Sequence, residues 1–392
     1  MQQLQRYEHH LGLRKRKRRP KDQDVFELSV TALASDLMHR VLTEPDGSLA
    51  VPLSNQVLGT SNRYRSPVLS KVLPDLLERM AAPEMAWLTM GKGYQGVFGH
   101  GARTTIRAAE RLRSRMEEHG IGLDDLTRLR DGEVIILKRE KEDHWDSGEY
   151  IDYDDTPETE VYRFEVRSIN DWLAQAHIDY IGERTSVDPF DRSLRRVFNQ
   201  GSFQRGGRLF GGFWQDLKKA ERFGDILIND DDIVELDYGQ MSVRIVYGMV
   251  GATPPEGDLY LIPGKEVHRD GFKKLMNALL FQDRLLSRYP RDTRPLFSNR
   301  MRIEEALGLL TERHPAIAHL FCKGIGMEMM FRESEILIDV LLRLQERRVV
   351  ALPIHDAILV SRSDEAQARQ EMTDVFTTHT GIIPVIKAEV GG

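Results

Sequence analysis

Two short apolar runs, each carrying one aspartate, constrain this chain more than any other feature. Ile233-Val234-Glu235-Leu236-Asp237 is β-prone and ends on a carboxylate, and Tyr238-Gly239-Gln240 leads from it into the helix-like run MSVRIVYGMV. More than a hundred residues later, Val349–Ile354 and Ala357–Val360 flank His355-Asp356, which reads as a hairpin with the carboxylate at its tip. Runs this short and this apolar suit strands inside a sheet. A carboxylate at a strand end, beside a helix start, suits a hard divalent cation bound through oxygen. Taken singly, a helix-capping aspartate or a polar hairpin tip reads the same way.

Between and before these runs lie two further segments. Arg269, Lys273, Asn277 and Phe281 recur every four residues and so share one helix face, in the order cation, cation, amide, aromatic. Clustered positive charge suits a triphosphate, and a flat ring suits a stacked base. Upstream, Gln204–Gln215 holds two glycine pairs, Gly206-Gly207 and Gly211-Gly212, with Arg205 and Arg208 among them. Paired glycines let backbone approach a ligand closely, and arginines there reach phosphates or base edges.

The ordered set resembles family A DNA polymerases over residues 200–392. The family's motif A, D-Y-S-Q-I-E-L-R, is similar to Asp237, Tyr238, Gln240 and Arg244 at matching positions. Its fingers helix, R-x3-K-x7-Y, is matched by Arg269 and Lys273, with Phe281 at the tyrosine position. Its motif C, V-H-D-E, is matched by Ile354-His355-Asp356-Ala357, and its G-R-L segment by Gly207-Arg208-Leu209, with Gln215 and Arg222 near the expected downstream Gln and Arg. The tail Pro384–Gly391 is similar to the family's closing strand.

The resemblance implies an α/β (α+β) fold: a palm with an antiparallel sheet and helical fingers, preceded by a mainly helical N-terminal region. It implies template-directed extension of a nucleic-acid 3′ end by two Mg2+ ions (or Mn2+) on Asp237 and Asp356. Arg269 and Lys273 would neutralise the nucleoside triphosphate, Asn277, Phe281, Tyr238 and Ser242 would line its site, and His355 would lie beside the primer end. Arg208 and Gln215 would lie against the primer–template. Three departures bear on sugar choice: Ser242 replaces the family's glutamate, Phe281 its tyrosine, and Ala357 its second motif C carboxylate. Relaxed discrimination between dNTPs and rNTPs follows. The rivals are a non-catalytic nucleic-acid-binding or replication-initiator protein with a degenerate palm, an RNA polymerase-like or primase-like enzyme, and a nuclease using the same carboxylates.

The first half carries no such motif. Arg14–Arg19 is an unbroken basic run, the expected mark of a flexible tail over 1–20, free to act as a phosphate-binding arm. Residues 24–44 and 66–82 show helical spacing, with Pro74 breaking or starting a helix. The glycine-rich stretch 91–102 lacks the Ser or Thr of a phosphate loop and suits a β-turn or a wing. Residues 103–118 read as a helix, on which Arg103, Arg107, Arg111 and Arg115 form one stripe for nucleic-acid phosphates. Together 21–130 form a mainly helical domain, winged or not, that binds nucleic acid. The connecting or thumb-like region 131–199 is expected to hold strands at GEVIILKRE and VYRFEV and a helix capped by Ser168.

Net charge is −6, so nucleic-acid affinity must come from local clusters. One cysteine excludes an intramolecular disulfide framework and a Cys-based zinc cluster, and suits a cytoplasmic setting. No apolar run approaches the roughly 20 residues that span a bilayer, so no membrane partner is expected.

Overall fold

The chain divides into two units, Met1–Glu133 with Glu183–Phe190, and Val134–Gly182 with Asp191–Gly392. A computed structural model of the protein describes residues 1–14, 16–60, 62–66, 68–93, 103–126, 132–141 and 146–391. Architecture is mixed α+β, with antiparallel sheets and a helix-rich N-terminal unit, as the sequence predicts. Among the described residues no helix is long and apolar enough to cross a membrane.

The first unit contains α1 (Gln2–His10), α2 (Pro20–Thr43), β1 (Leu49–Ala50), α3 (Asn55–Gly59), α4 (Leu73–Ala81), β2 (Leu88–Gly91), β3 (Thr105–Ala108) and α5 (Glu110–His119). Pro20 and Pro74 each sit in a first helical turn, where the missing N–H has no intrahelical role. α2 buries Phe26, Val30, Leu33 and Leu37 at helical spacing, and α4 buries Leu73, Leu76, Leu77 and Met80. Their shared core includes Ile106 and Leu88 of a small antiparallel sheet ordered β1-β3-β2. β2 and β3 flank the glycine-rich stretch, of which 94–102 lies outside the described residues.

Two expectations for this unit need correction. The segment expected as a flexible tail is in part built in: α1 places Leu4 in the core, at 2% exposure. Glu8, equally buried, is bound by Arg18 at 2.6 Å and by Arg79. A buried carboxylate needs such partners, and Arg18 also stacks over Phe26. Lys15 of the basic run lies outside the described residues. The arginine stripe does not exist either. Arg107 is on β3, a strand paired with β1 on one side and β2 on the other, and the helix starts only at Glu110, leaving Arg103 before the strand. Arg111 lies over Trp87 and donates to the Glu84 and Met85 carbonyls, while Arg115 pairs with Glu118.

The second unit contains β4 (Ile135–Leu137), α6 (Pro157–Gln175), β5 (Ile178–Tyr180), β6 (Leu194–Asn199), β7 (Ser202–Gly211), α7 (Lys219–Asp225), β8 (Ile226–Ile228), β9 (Asp231–Gly239), α8 (Met241–Met249), α9 (Arg269–Phe281), α10 (Ile303–Arg313), α11 (Gly326–Glu346), β10 (Leu352–Ile354), β11 (Ala357–Ser361), α12 (Glu365–Thr380) and β12 (Val385–Val390). The main sheet runs β10-β11-β9-β8-β5, with β12 also paired to β9, all antiparallel. β9 is therefore the central strand, and Ile233, Val234, Leu236 and Tyr238 along it are all buried. A second sheet, β4-β6-β7, joins residues on both sides of position 200, so no boundary falls there.

VYRFEV is helix, not strand. Thr156 caps α6 and shares a capping box with Thr159, twelve residues before Ser168, the expected cap. Tyr162, Val166, Ile169 and Leu173 then fall on one buried stripe, so helical packing overrides the β-preference of the aromatic and branched residues.

Candidate active site

β9 carries Asp237 near its C-terminal end, and β11 pairs with it so that Ala357 lies opposite Asp237. Asp356, one residue before, therefore stands at the neighbouring position, and the Tyr238 N–H faces the Asp356 carbonyl at 3.4 Å. Sheet pairing thus brings together two acids far apart in sequence. The turn that does this, His355-Asp356, joins β10 to β11 with Ile354 opposite Ala357. His355 adopts φ +55° there, a left-handed conformation that a two-residue hairpin turn usually fills with glycine. Strain of that kind persists only where the surroundings hold it.

The hold is visible. Trp214, fully buried, donates its indole N–H to the Pro353 carbonyl at 3.0 Å, and Gln215 Nε2 donates to the same oxygen at 2.9 Å. Gln215 Oε1 also accepts from the Gly211 N–H. Its amide is therefore spent on fastening the hairpin, which corrects the expectation of nucleic-acid contact. The glycine pairs are likewise explained by packing. Gly207, at φ +82°, lets β7 press on Ser334 of α11, and Gly212, at φ +78°, lies against the Trp214 ring, where a Cβ would collide with it.

Electrostatics single out Asp237. Burial, then the charges of Asp356 and Glu235, push its carboxyl up to about 6, against the pull of Lys387 and Lys273. A carboxylate raised in this way, by burial and by neighbouring acids, is one that a cation relieves. All its donors are oxygens, which fits Mg2+ or Mn2+, and such ions take one or two carboxylates and complete their shells with water and substrate phosphates. Among the described residues, three ligand-bearing side chains converge within 4.8 Å only at His177, Asp179 and Asp230. That exposed cluster lies at the opposite end of β9, about 20 Å along the strand at 3.3 Å per residue.

Lys273 on α9 lies close enough for its charge to act on Asp237. Lys387 of β12 is directly opposite Asp237 in the sheet. Arg269, at the start of α9, is held by Asp258 at 2.6 Å and by Asp270 at 3.1 Å. Asn277 and Phe281 follow on the same face, all four being partly or fully exposed, and the Phe281 ring lies over Gly326. Ser242 sits half-buried in the first turn of α8. Tyr238, expected on the substrate side, points into the core: it is 2% exposed, and its hydroxyl donates to the Met372 carbonyl at 2.6 Å. Side chains alternate along a strand, so Tyr238 and Asp237 must face opposite ways.

Sequence reasoning missed Glu333. This α11 carboxylate is 1% exposed, takes Arg208 at 2.6 Å, and is pushed up to about 7 by burial, with the charge of Asp356 adding to the effect and Arg208 opposing it. Arg208 in turn helps hold His355 below its usual range, after burial and alongside Arg222, so the imidazole is neutral at pH 7. Arg208, Glu333, His355 and Asp356 form one electrostatic group. A glutamate in a helix otherwise rich in charge gave no sequence signal.

No protein-family model matches the chain, and no curated protein matches it. Among solved structures it is similar to the POL domain of Pol1 from M. smegmatis in complex with DNA primer-template and dNTP. The TM-score is 0.34 and the identity 12%, over 93% of this chain and 65% of that chain. The chain thus spans less than two thirds of that domain's length.

Proposed function

We propose that the protein is a template-directed nucleotidyltransferase that extends a nucleic-acid 3′ end from nucleoside triphosphates. The observation that carries the reading is the adjacency of Asp237 and Asp356 across β9 and β11, with Lys273 close enough for its charge to act on Asp237. In this reading the two carboxylates hold Mg2+ or Mn2+. When bound, the ions supply charge neutralisation at the phosphoryl oxygens and lower the pKa of the attacking hydroxyl. The primer 3′ oxygen bonds to the α-phosphorus, the bond to the β-phosphate breaks, and pyrophosphate leaves as the hydroxyl proton passes to solvent.

The chain's own residues position these groups. Lys273 and Arg269 neutralise the triphosphate, Arg269 by exchanging Asp258 for phosphate. Asn277 and Phe281 continue that face toward the base. Neutral His355 lies beside the primer end, and Arg208, braced by Glu333, offers its remaining N–H groups to the nucleic acid. Ser242 leaves room beside the ribose, which supports relaxed choice between dNTPs and rNTPs. Arg103 and Arg107, exposed next to the β2–β3 connection, give the first unit a basic edge for the duplex; the exposed Asp75 and Glu78 make α4 a poor alternative.

A single assay tests the reading: a labelled primer on DNA or RNA template, with unprimed controls, offered dNTPs or rNTPs with Mg2+ or Mn2+. Metal-dependent lengthening is expected. Shortening of the label would favour a nuclease, and an unchanged label under every condition would favour a non-catalytic binder.

A further inference from the structure

The connection between α8 and α9, residues 250–268, brings a side chain to this site that no motif predicts. It is fastened at two places. The Leu259 N–H donates to Gln240 Oε1 at 3.3 Å, and Asp258 binds Arg269 through Oδ2 at 2.6 Å. Asp258 Oδ1 also accepts from the Tyr260 N–H at 2.9 Å, so one carboxylate ties the loop to the first turn of α9. These bonds fix the Tyr260 ring, which is 4% exposed and lies 5.7 Å from the Arg269 guanidinium carbon.

A phenol buried this deeply ordinarily finds a hydrogen-bond partner. The Tyr260 hydroxyl has none among the described residues, and it is not sealed away as a partnerless buried atom. Its charged neighbours are Asp258, Arg269, Asp356 and Arg244. Burial, with Asp258 and Asp356, pushes it up to about 12, so it is a hydrogen-bond donor at neutral pH. Arg244 is also buried, and its Nε lacks a partner. An unused donor therefore belongs to a ring beside the arginine assigned to phosphate, near enough to Asp356 to feel its charge.

We propose that Tyr260 is a nucleotide-contacting residue, its hydroxyl donating to a phosphate oxygen of a triphosphate bound between Asp356 and Arg269. The inference rests on the reading above in taking the ligand to be a nucleoside triphosphate. Asp258 acts as the positioning residue: it sets the ring while the site is empty of nucleotide and gives up Arg269 when phosphate arrives. A hydrogen bond to a charged oxygen is stronger than a neutral one, and its loss weakens binding about tenfold to a hundredfold.

Tyr260→Phe removes one oxygen that the fold does not use, so a merely structural role predicts no change. The test is equilibrium titration of wild type and Tyr260→Phe with dATP and with ATP, each with excess MgCl2, alongside thermal unfolding. Expected are an unchanged Tm, affinity weaker by about tenfold or more, and a matching rise in KM with kcat little altered. Equal affinity in the two proteins would overturn the inference and leave the polymerase reading standing. A wild type that binds nucleotide yet never extends a primer would end the polymerase reading, with the binding comparison still deciding the role of Tyr260. A wild type that binds neither nucleotide would end both.

Discussion

Asp237→Asn should stabilise the metal-free protein while abolishing its chemistry. The carboxyl of Asp237 is raised from 3.8 to about 6, by burial first and Asp356 second. A folded-state value above the unfolded one means that the native state holds the proton more tightly. The penalty is therefore absent below the unfolded value and grows as pH rises through about 6. At about 1.4 kcal/mol per unit the ceiling is about 3 kcal/mol, and solvent at this half-buried site trims the expectation to about 1–2 kcal/mol at pH 7.5. At pH 4.5 about a third of the gain should remain. Asparagine keeps the shape and cannot ionise. Urea unfolding of both proteins in EDTA at the two pH values measures the difference directly. Mg2+ should reverse the order, since only the wild type gains binding energy from it. Equal stabilities in EDTA at pH 7.5, or an asparagine variant less stable there, would refute the view that burial and the neighbouring acids penalise the ionised Asp237 carboxylate.

Arg196 is wholly buried between Tyr162 and Phe198, bonded to the Gly207 carbonyl and Ser334, and paired with Glu165 and Glu335. Arg196→Met leaves two carboxylates without their cation and should cost about 3–5 kcal/mol in chemical denaturation; a loss under about 1 would contradict the pairing. Gly207→Ala forces a side chain into φ +82° and onto Ser334, and should cost about 2 kcal/mol or more in the same assay. Ser242 predicts that rNTPs extend a primer within about a hundredfold of dNTPs; exclusion on the order of a thousandfold would contradict it.

The strands that carry the two aspartates were legible because burial on both faces writes a strand as a mostly apolar run, as in β9 and β11. The α9 face was legible through helical spacing, which α9 keeps. What failed did so for tertiary reasons. Arg103 and Arg107 have helical spacing with Arg111, yet β3 is paired on both sides, and sheet pairing outweighs propensity in so short a segment. VYRFEV looked β-prone until the Thr156 cap and the buried stripe of α6 placed it in a helix. The glycines of Gln204–Gln215 were read as room for a ligand, whereas they make room for Ser334 and Trp214. Glu333 and Tyr260 were invisible because their meaning lies in what surrounds them. No local pattern separates a buried glutamate or a partnerless tyrosine from a solvated one.

The most direct test is single-turnover incorporation of one nucleotide onto a labelled primer by wild type, Asp237→Asn and Asp356→Asn in Mg2+, with thermal unfolding as the check on folding. Losing one carboxylate from the pair should slow incorporation by about a thousandfold or more in either variant while both stay folded. A folded variant that adds nucleotide at the wild-type rate would show that these acids do not carry the reaction.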